Sequence, residues 1–223
     1  MSYILNIETA TTNCSVSISK DGETIVLKED NDKSYSHAER LHVYIDAALK
    51  EAKITPEDLS AIAISKGPGS YTGLRIGVSA AKGLCFALDK PLISVPTLEA
   101  LAHKVNQKDG IIVPMLDARR MEVYSAIFDS NYYEIRETQA QILDENAFAE
   151  YLQRGKVYFV GNGVEKTKLL LNHDNAVFVE NELPSANEMS RIAYSKYQKN
   201  NMEDVAYFEP YYLKDFVALK SKK

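Results

Sequence analysis

Tryptophan is absent from this chain of 223 residues, cysteine occurs twice and histidine four times. Each scarcity removes a class of chemistry. Cys14 and Cys85 both lie in apolar, periodic segments. They read as buried thiols rather than a disulfide, which makes the reducing cytoplasm the expected compartment. Of the histidines, His37 and His42 are five positions apart on an expected helix, while His103 and His173 are isolated. A separation of five turns a helix by roughly 140°, so His37 and His42 cannot share a face as an i, i+4 zinc pair does, and no metal site is expected. No apolar run reaches the length of a membrane span, and the first eight residues lack the basic and apolar regions of a signal peptide. Positive charge is also short: the net charge of −5 argues against a chain that grips nucleic acid unaided. Its one basic cluster, Lys220-Ser221-Lys222-Lys223, reads as a solvated tail.

What the chain does have is a glycine-rich junction, Lys66-Gly67-Pro68-Gly69-Ser70-Tyr71-Thr72-Gly73-Leu74-Arg75-Ile76-Gly77, between an apolar strand at 61–65 and a helix at 72–88. Bare amides at a helix start suit an anion, because unsatisfied N–H groups and the helix dipole point the same way. The spacing matches neither a Walker loop nor a G-x-G-x-x-G fingerprint, and Ser70 does not sit in a G-x-S-x-G elbow. As a bare glycine loop it reads as a structural turn.

The hydrophobic patterning predicts the same element order twice. Strands at 3–7, 14–20 and 24–28, the second pair joined by the Asp21-Gly22 turn, precede helices at 37–52 and 72–88 with a strand at 61–65 between them. A strand at 91–95 and a helix at 97–105 finish the first half. Strands at 111–116, 123–128 and 132–137, helices at 144–154, 164–171 and 186–197, and strands at 157–160 and 176–179 repeat the order. Two β-β-β-α-β-α lobes, 1–106 and 107–223, imply an α/β protein of the actin-like, sugar-kinase-like ATPase architecture (the ASKHA fold), with its cleft between them.

In such a cleft, hairpins after each first strand wrap phosphates and strand-end acids handle metal or water. Here the acids are Glu8 and Asp117, with Thr9, Thr11 and Arg119 beside them. Neither hairpin contains glycine, and the second carries Arg119 and Arg120. These arginines suit a phosphate, a bridge to Asp117 and Glu122, or a partner. The site parts are incomplete for ordinary nucleotide hydrolysis, so an ATPase or small-molecule kinase using Glu8 and Asp117 stands as the alternative reading. The helix at 72–88 has two apolar or small stripes, one of Leu74, Val78, Ala81, Cys85 and Leu88, the other of Gly73, Gly77, Ala80 and Leu84. The pattern fits either a core helix or one that meets a partner.

The segment 61–101, with Ile7-Glu8-Thr9-Ala10-Thr11, His37-Ala38-Glu39-Arg40-Leu41, Asp117-Ala118-Arg119-Arg120 and Pro210-Tyr211-Tyr212-Leu213, resembles the TsaB (YeaZ) family. The resemblance is strong to about residue 130 and thin from there to the last motif. It implies a non-catalytic relative of TsaD, the subunit that transfers threonylcarbamoyl from threonylcarbamoyl-AMP to N6 of the tRNA adenosine beside the anticodon. TsaD-like chains read Val-Asn-His-Leu-Glu-Gly-His where this one reads Val95-Pro96-Thr97-Leu98-Glu99-Ala100-Leu101. Both metal-binding histidines are therefore replaced, at Thr97 and Leu101. The resemblance further implies pairing with TsaD through the helices at 37–52 and 72–88, recruitment of the ATPase TsaE, and a homodimer when TsaD is absent. The expected contacts are Leu41, Ile45, Leu74, Val78 and Ala81. No cofactor is expected for the chain itself, ATP or ADP entering at the level of the complex, and tRNA is met only through that complex. A peptidase, a label once given to relatives of TsaD, lacks both a zinc pair and an activated nucleophile here.

Overall fold

The computed structural model describes residues 1–31 and 37–214; the basic cluster 220–223 lies outside them. The first half comprises β1 (Tyr3–Glu8), β2 (Cys14–Lys20), β3 (Glu23–Asp30), α1 (His37–Ala52), β4 (Leu59–Ser65), α2 (Tyr71–Leu88), β5 (Leu92–Val95) and α3 (Thr97–Ala102). The second comprises β6 (Ile111–Asp117), β7 (Glu122–Asp129), β8 (Glu134–Ile142), α4 (Ala149–Leu152), β9 (Val157–Val160), α5 (Val164–Lys168), β10 (Ala176–Val179) and α6 (Ala186–Gln198). The sheets run β3-β2-β1-β4-β5 and β10-β9-β6-β7-β8, so the repeat of the sequence is also a repeat of topology. In each sheet an antiparallel hairpin pair is followed by parallel pairing, as a crossover helix requires. This is the two-lobed actin-like fold.

Local chemistry explains the individual elements. Asp21 and Gly22 both take positive φ, 50° and 89°, which is what a two-residue hairpin turn demands. Ser70 caps α2 by accepting from the Gly73 amide at 3.3 Å. The helices expected at 144–154 and 164–171 contract to one turn each, because flanking residues enter turns.

Two points of organisation depart from the pattern. Ser15, Ser17 and Ser19 of β2 alternate with apolar residues as on a solvated face, yet all three are fully buried. They lie under α6: Ser15 Oγ accepts from the Ala186 amide at 3.0 Å and Ser17 Oγ donates to the Ala186 carbonyl at 2.9 Å. The boundary at 106/107 falls between the two sheets, while the last helix of each half packs across it. Ala186, Met189, Ile192 and Ala193 of α6 pack with Ile4, Ala61, Ala63, Ile93 and Val95 of the first sheet. Conversely, Leu98, Leu101 and Ala102 of α3 pack with Ile112, Leu116, Phe128 and Val160 of the second. Each lobe is thus closed by the other half's last helix.

Candidate functional site

The glycine-rich junction is shaped by the turn after β1. A Cβ on Gly69 or Gly73 would press into the carbonyl oxygens of Ala10 and Thr9, closer than real side chains come. These glycines admit the protein's own backbone. Much of the loop's donor capacity is spent the same way. The Ser70 amide donates to Ala10 O at 2.7 Å, the Gly67 amide to Thr97 Oγ1 at 3.1 Å and the Lys66 amide to Val95 O at 2.9 Å. Thr9 Oγ1 in turn donates to Gly73 O at 2.8 Å. The junction is therefore an interlock between α2 and the first hairpin, a structural turn as its bare glycine pattern reads.

Glu8 closes β1 but is fully buried behind this interlock. Its Oε1 accepts from the Ala10 amide at 2.5 Å while Oε2 is buried without a hydrogen-bond partner. Burial pushes the carboxyl up to about 7 against the lowering effect of the Ala10 and Thr9 amides and the Ser65 hydroxyl. Thr97 stands where a catalytic relative would place a histidine; its hydroxyl is 2.6 Å from Ser65 Oγ, tying β4 to α3. Leu101 is fully buried in the core between α3 and the second sheet. His37 Nε2 lies 2.7 Å from Thr11 O, and burial lowers the pKa values of both His37 and His103, the latter stacked on Tyr132. Among the described residues no three His, Cys, Asp or Glu side chains converge as a metal site.

The second hairpin is built differently. Asp117 Oδ1 accepts from the Arg119 amide at 2.8 Å and pairs with Lys166 Nζ at 2.6 Å. Glu122 pairs with Lys214 from the far end of the chain. Neither acid is bridged by Arg119 or Arg120, which occupy the left-handed region at φ 66° and 50°.

Between the hairpins lies a cleft of about 490 Å³, within the ordinary range for a ligand site. Thr11, Asp117 and Arg119 line it, together with Ser70, Thr72, Tyr124, Asn162 and the segment 211–214. Glu8 and Thr9 do not: both are fully buried. Lys166 and Lys214 escaped the sequence reading because their acids lie far away in the chain, although Pro210-Tyr211-Tyr212-Leu213 carried part of the resemblance. This segment crosses the cleft mouth. The Tyr211 amide donates to Lys66 O at 2.7 Å, Arg75 Nε donates to Tyr212 Oη at 3.2 Å, and the Arg75 guanidinium lies 4.1 Å from the Tyr71 ring centre. A magnesium nucleotide for hydrolysis does not fit these residues. One acid is buried away from the cleft, the other is neutralised by Lys166, and the glycines are filled by backbone.

A second concavity, a groove of about 610 Å³, runs between α1 and α2. Ala38, Leu41, His42, Ile76, Ala80 and Leu84 are among its lining residues. Val43 and Phe86, on the same two helices, are 61% and 87% exposed. The five contacts expected at a partner surface are placed otherwise. Leu41, Leu74 and Ala81 have no exposure and Ile45 and Val78 only 5%, because their stripe faces the first sheet. Of the five, Leu41 alone also reaches the groove, whose α2 wall is formed by the half-buried Ile76, Ala80 and Leu84.

A family model described as TsaD, tRNA N6-adenosine threonylcarbamoyltransferase, matches residues 31–221. The chain is 32% identical over 226 residues to the tRNA threonylcarbamoyladenosine biosynthesis protein TsaB of Escherichia coli strain K12, covering 97% of this chain and 96% of that one. It is also 32% identical over 175 residues to the TsaB protein of Bacillus subtilis strain 168, covering 78% and 72%. A solved structure described as an uncharacterized protein with similarity to peptidase YEAZ from Pseudomonas aeruginosa superposes with a TM-score of 0.85 at 24% identity, over 96% of this chain and all of that one. The full-length match in sequence, the matching fold and the TsaD-like model together establish that the chain belongs to the TsaB (YeaZ) family.

Proposed function

We propose that this chain is a non-catalytic subunit in the biosynthesis of tRNA threonylcarbamoyladenosine, acting by pairing with a TsaD-like transferase. The observation that carries the reading is the groove between α1 and α2, with Ile76, Ala80 and Leu84 in its wall and Phe86, on the last turn of α2, 87% exposed. Small residues at three- and four-residue spacing allow a partner helix to approach closely, and an apolar face of this kind is costly to leave in water. The names of the related proteins support the pathway, and the loss of both histidines at Thr97 and Leu101 supports the absence of chemistry in this chain. In the absence of TsaD the same face pairs with a second copy by a twofold contact, which hides it at little cost. ATP or ADP enters through a TsaE-like ATPase at the complex, and the chain works in the cytoplasm without a cofactor of its own.

Size-exclusion chromatography with light scattering, on the chain alone and mixed with its TsaD counterpart, tests this. The expected outcome is a homodimer that gives way to a complex with TsaD, with threonylcarbamoyl transfer to tRNA only when both are present. A chain that stays monomeric and ignores TsaD, yet turns over magnesium-ATP, would move the nucleotide-enzyme alternative to the front.

A further inference from the structure

The rim of the cleft holds charge that the fold itself does not use. Asp117 is satisfied by Lys166 and Glu122 by Lys214, and the Arg119 backbone, not its side chain, pins the turn to Asp117. Arg119 and Arg120 are left exposed at the tip of the β6–β7 hairpin, and among the described residues neither guanidinium has an ion pair or hydrogen bond. Both are held at positive φ, a conformation that arginine adopts only when the surroundings impose it. A turn needing two left-handed residues is ordinarily filled by Asn-Gly, so this pair is not explained by local folding.

Across the cleft mouth the same rim presents aromatic faces. The Tyr71 and Tyr212 ring centres are 5.1 Å apart, Arg75 lies against Tyr71, and Tyr211 and Tyr212 are 43% and 36% exposed. Lys214 sits over Tyr124 at 5.9 Å. Cations interleaved with aromatic rings are the pattern by which proteins hold single-stranded nucleic acid, phosphates going to the cations and bases to the ring faces. The concentration is notable in a chain of net charge −5, whose sequence argues against general nucleic-acid affinity. A small local surface does not need a basic protein when a partner supplies the rest of the binding.

We infer that this rim is an RNA contact belonging to the chain itself. Arg119 and Arg120 take backbone phosphates of the tRNA being modified, and the tyrosines of the closing segment offer a stacking face to an unpaired base. The inference deepens the proposed function and rests on it for the identity of the RNA.

The test measures tRNA binding by fluorescence anisotropy over a range of salt, for the chain alone and for its complex with the TsaD counterpart. Wild type is compared with Arg119→Ala/Arg120→Ala and Arg119→Lys/Arg120→Lys. In the complex, the alanine pair is expected to weaken binding about tenfold and to reduce the salt slope by about 1.4 to 2, the loss of two phosphate contacts, while the lysine pair keeps most of the slope. Complex formation by light scattering should be the same for all three, which separates this inference from the pairing reading. If no complex forms with wild type, the pairing reading fails, and arginine-dependent tRNA binding by the chain alone decides the rim. Unchanged affinity and slope in the alanine pair would overturn the inference. So would arginine-dependent binding of free AMP or ATP with no effect on tRNA, which would make the rim a small-molecule phosphate site.

Discussion

Glu8 and Asp117 end equivalent strands of the two repeats, yet they meet opposite fates. Asp117 stays at the surface beside Lys166, whereas Glu8 is sealed behind the Gly69–Ala10 contact with its carboxyl pushed up to about 7. Below pH 4.5 both folded and unfolded chains carry the Glu8 proton. Between 4.5 and about 7 only the unfolded chain ionises, so stability falls through that window, by roughly 3 kcal/mol once the shift is complete. Glu8→Gln should therefore raise the urea midpoint at pH 8 and leave it nearly unchanged at pH 4.5. Equal midpoints for the two proteins at pH 8 would mean that the carboxylate is solvated after all. The sequence identified both acids as strand ends, and Thr11, Asp117 and Arg119 line the cleft. It could not tell a buried acid from an exposed one, because that depends on how the 66–73 junction closes over the hairpin. Nor could it foresee lysines 49 and 92 positions from their acids.

At the scale of the element, α2 shows what periodicity determines and what it leaves open. Its two stripes were legible, but a helical period does not say which stripe faces the sheet. That is decided by contact: Gly73 lies against Thr9, and this rotation turns Leu74, Val78, Ala81 and Cys85 into the core. The consequences of substitution reverse accordingly. Val78→Arg forces a guanidinium among apolar side chains, a cost comparable with a typical total stability of about 5–15 kcal/mol, so this variant is expected to be unfolded by circular dichroism. Ala80→Arg, on the groove wall, is expected to remain folded with an unchanged melting temperature while failing to pair in light scattering. A folded, pairing-deficient Val78→Arg would return the partner surface to the stripe first read from the sequence.

The whole molecule is held together by exchange. α6 covers the face of the first sheet where Asn6, Ser17 and Ser19 are buried, its Ser190 Oγ lying 3.4 Å from the Asn6 amide nitrogen. The segment beyond α6 adds further ties to the first half, Glu203 to Ser94 at 2.5 Å and Lys82 to the carbonyls of Ala206 and Phe208 at 3.1 and 3.0 Å. A fragment of residues 1–106 therefore exposes an apolar face and a row of unsatisfied hydroxyls. It is expected to give no dispersed amide spectrum alone and to gain one when a peptide of residues 183–214 is added. A fragment already ordered without the peptide would show that α6 is an accessory to the lobe and not part of its core. The repeat was legible because it lies in element order; the exchange was not, because α3 and α6 look like ordinary closing helices of their own halves.

The exchange also sets a timetable. As the chain leaves the ribosome, the first sheet can assemble its five strands by residue 95 but has nothing to cover its second face until residues 186–198 emerge. At about 5–20 residues per second, that face waits roughly 5 to 20 seconds for its cover. Throughout that interval the earliest-made part of the protein depends on whatever binds nascent chains, and a synonymous change that slows translation between the two lobes would lengthen the exposure without altering a single residue.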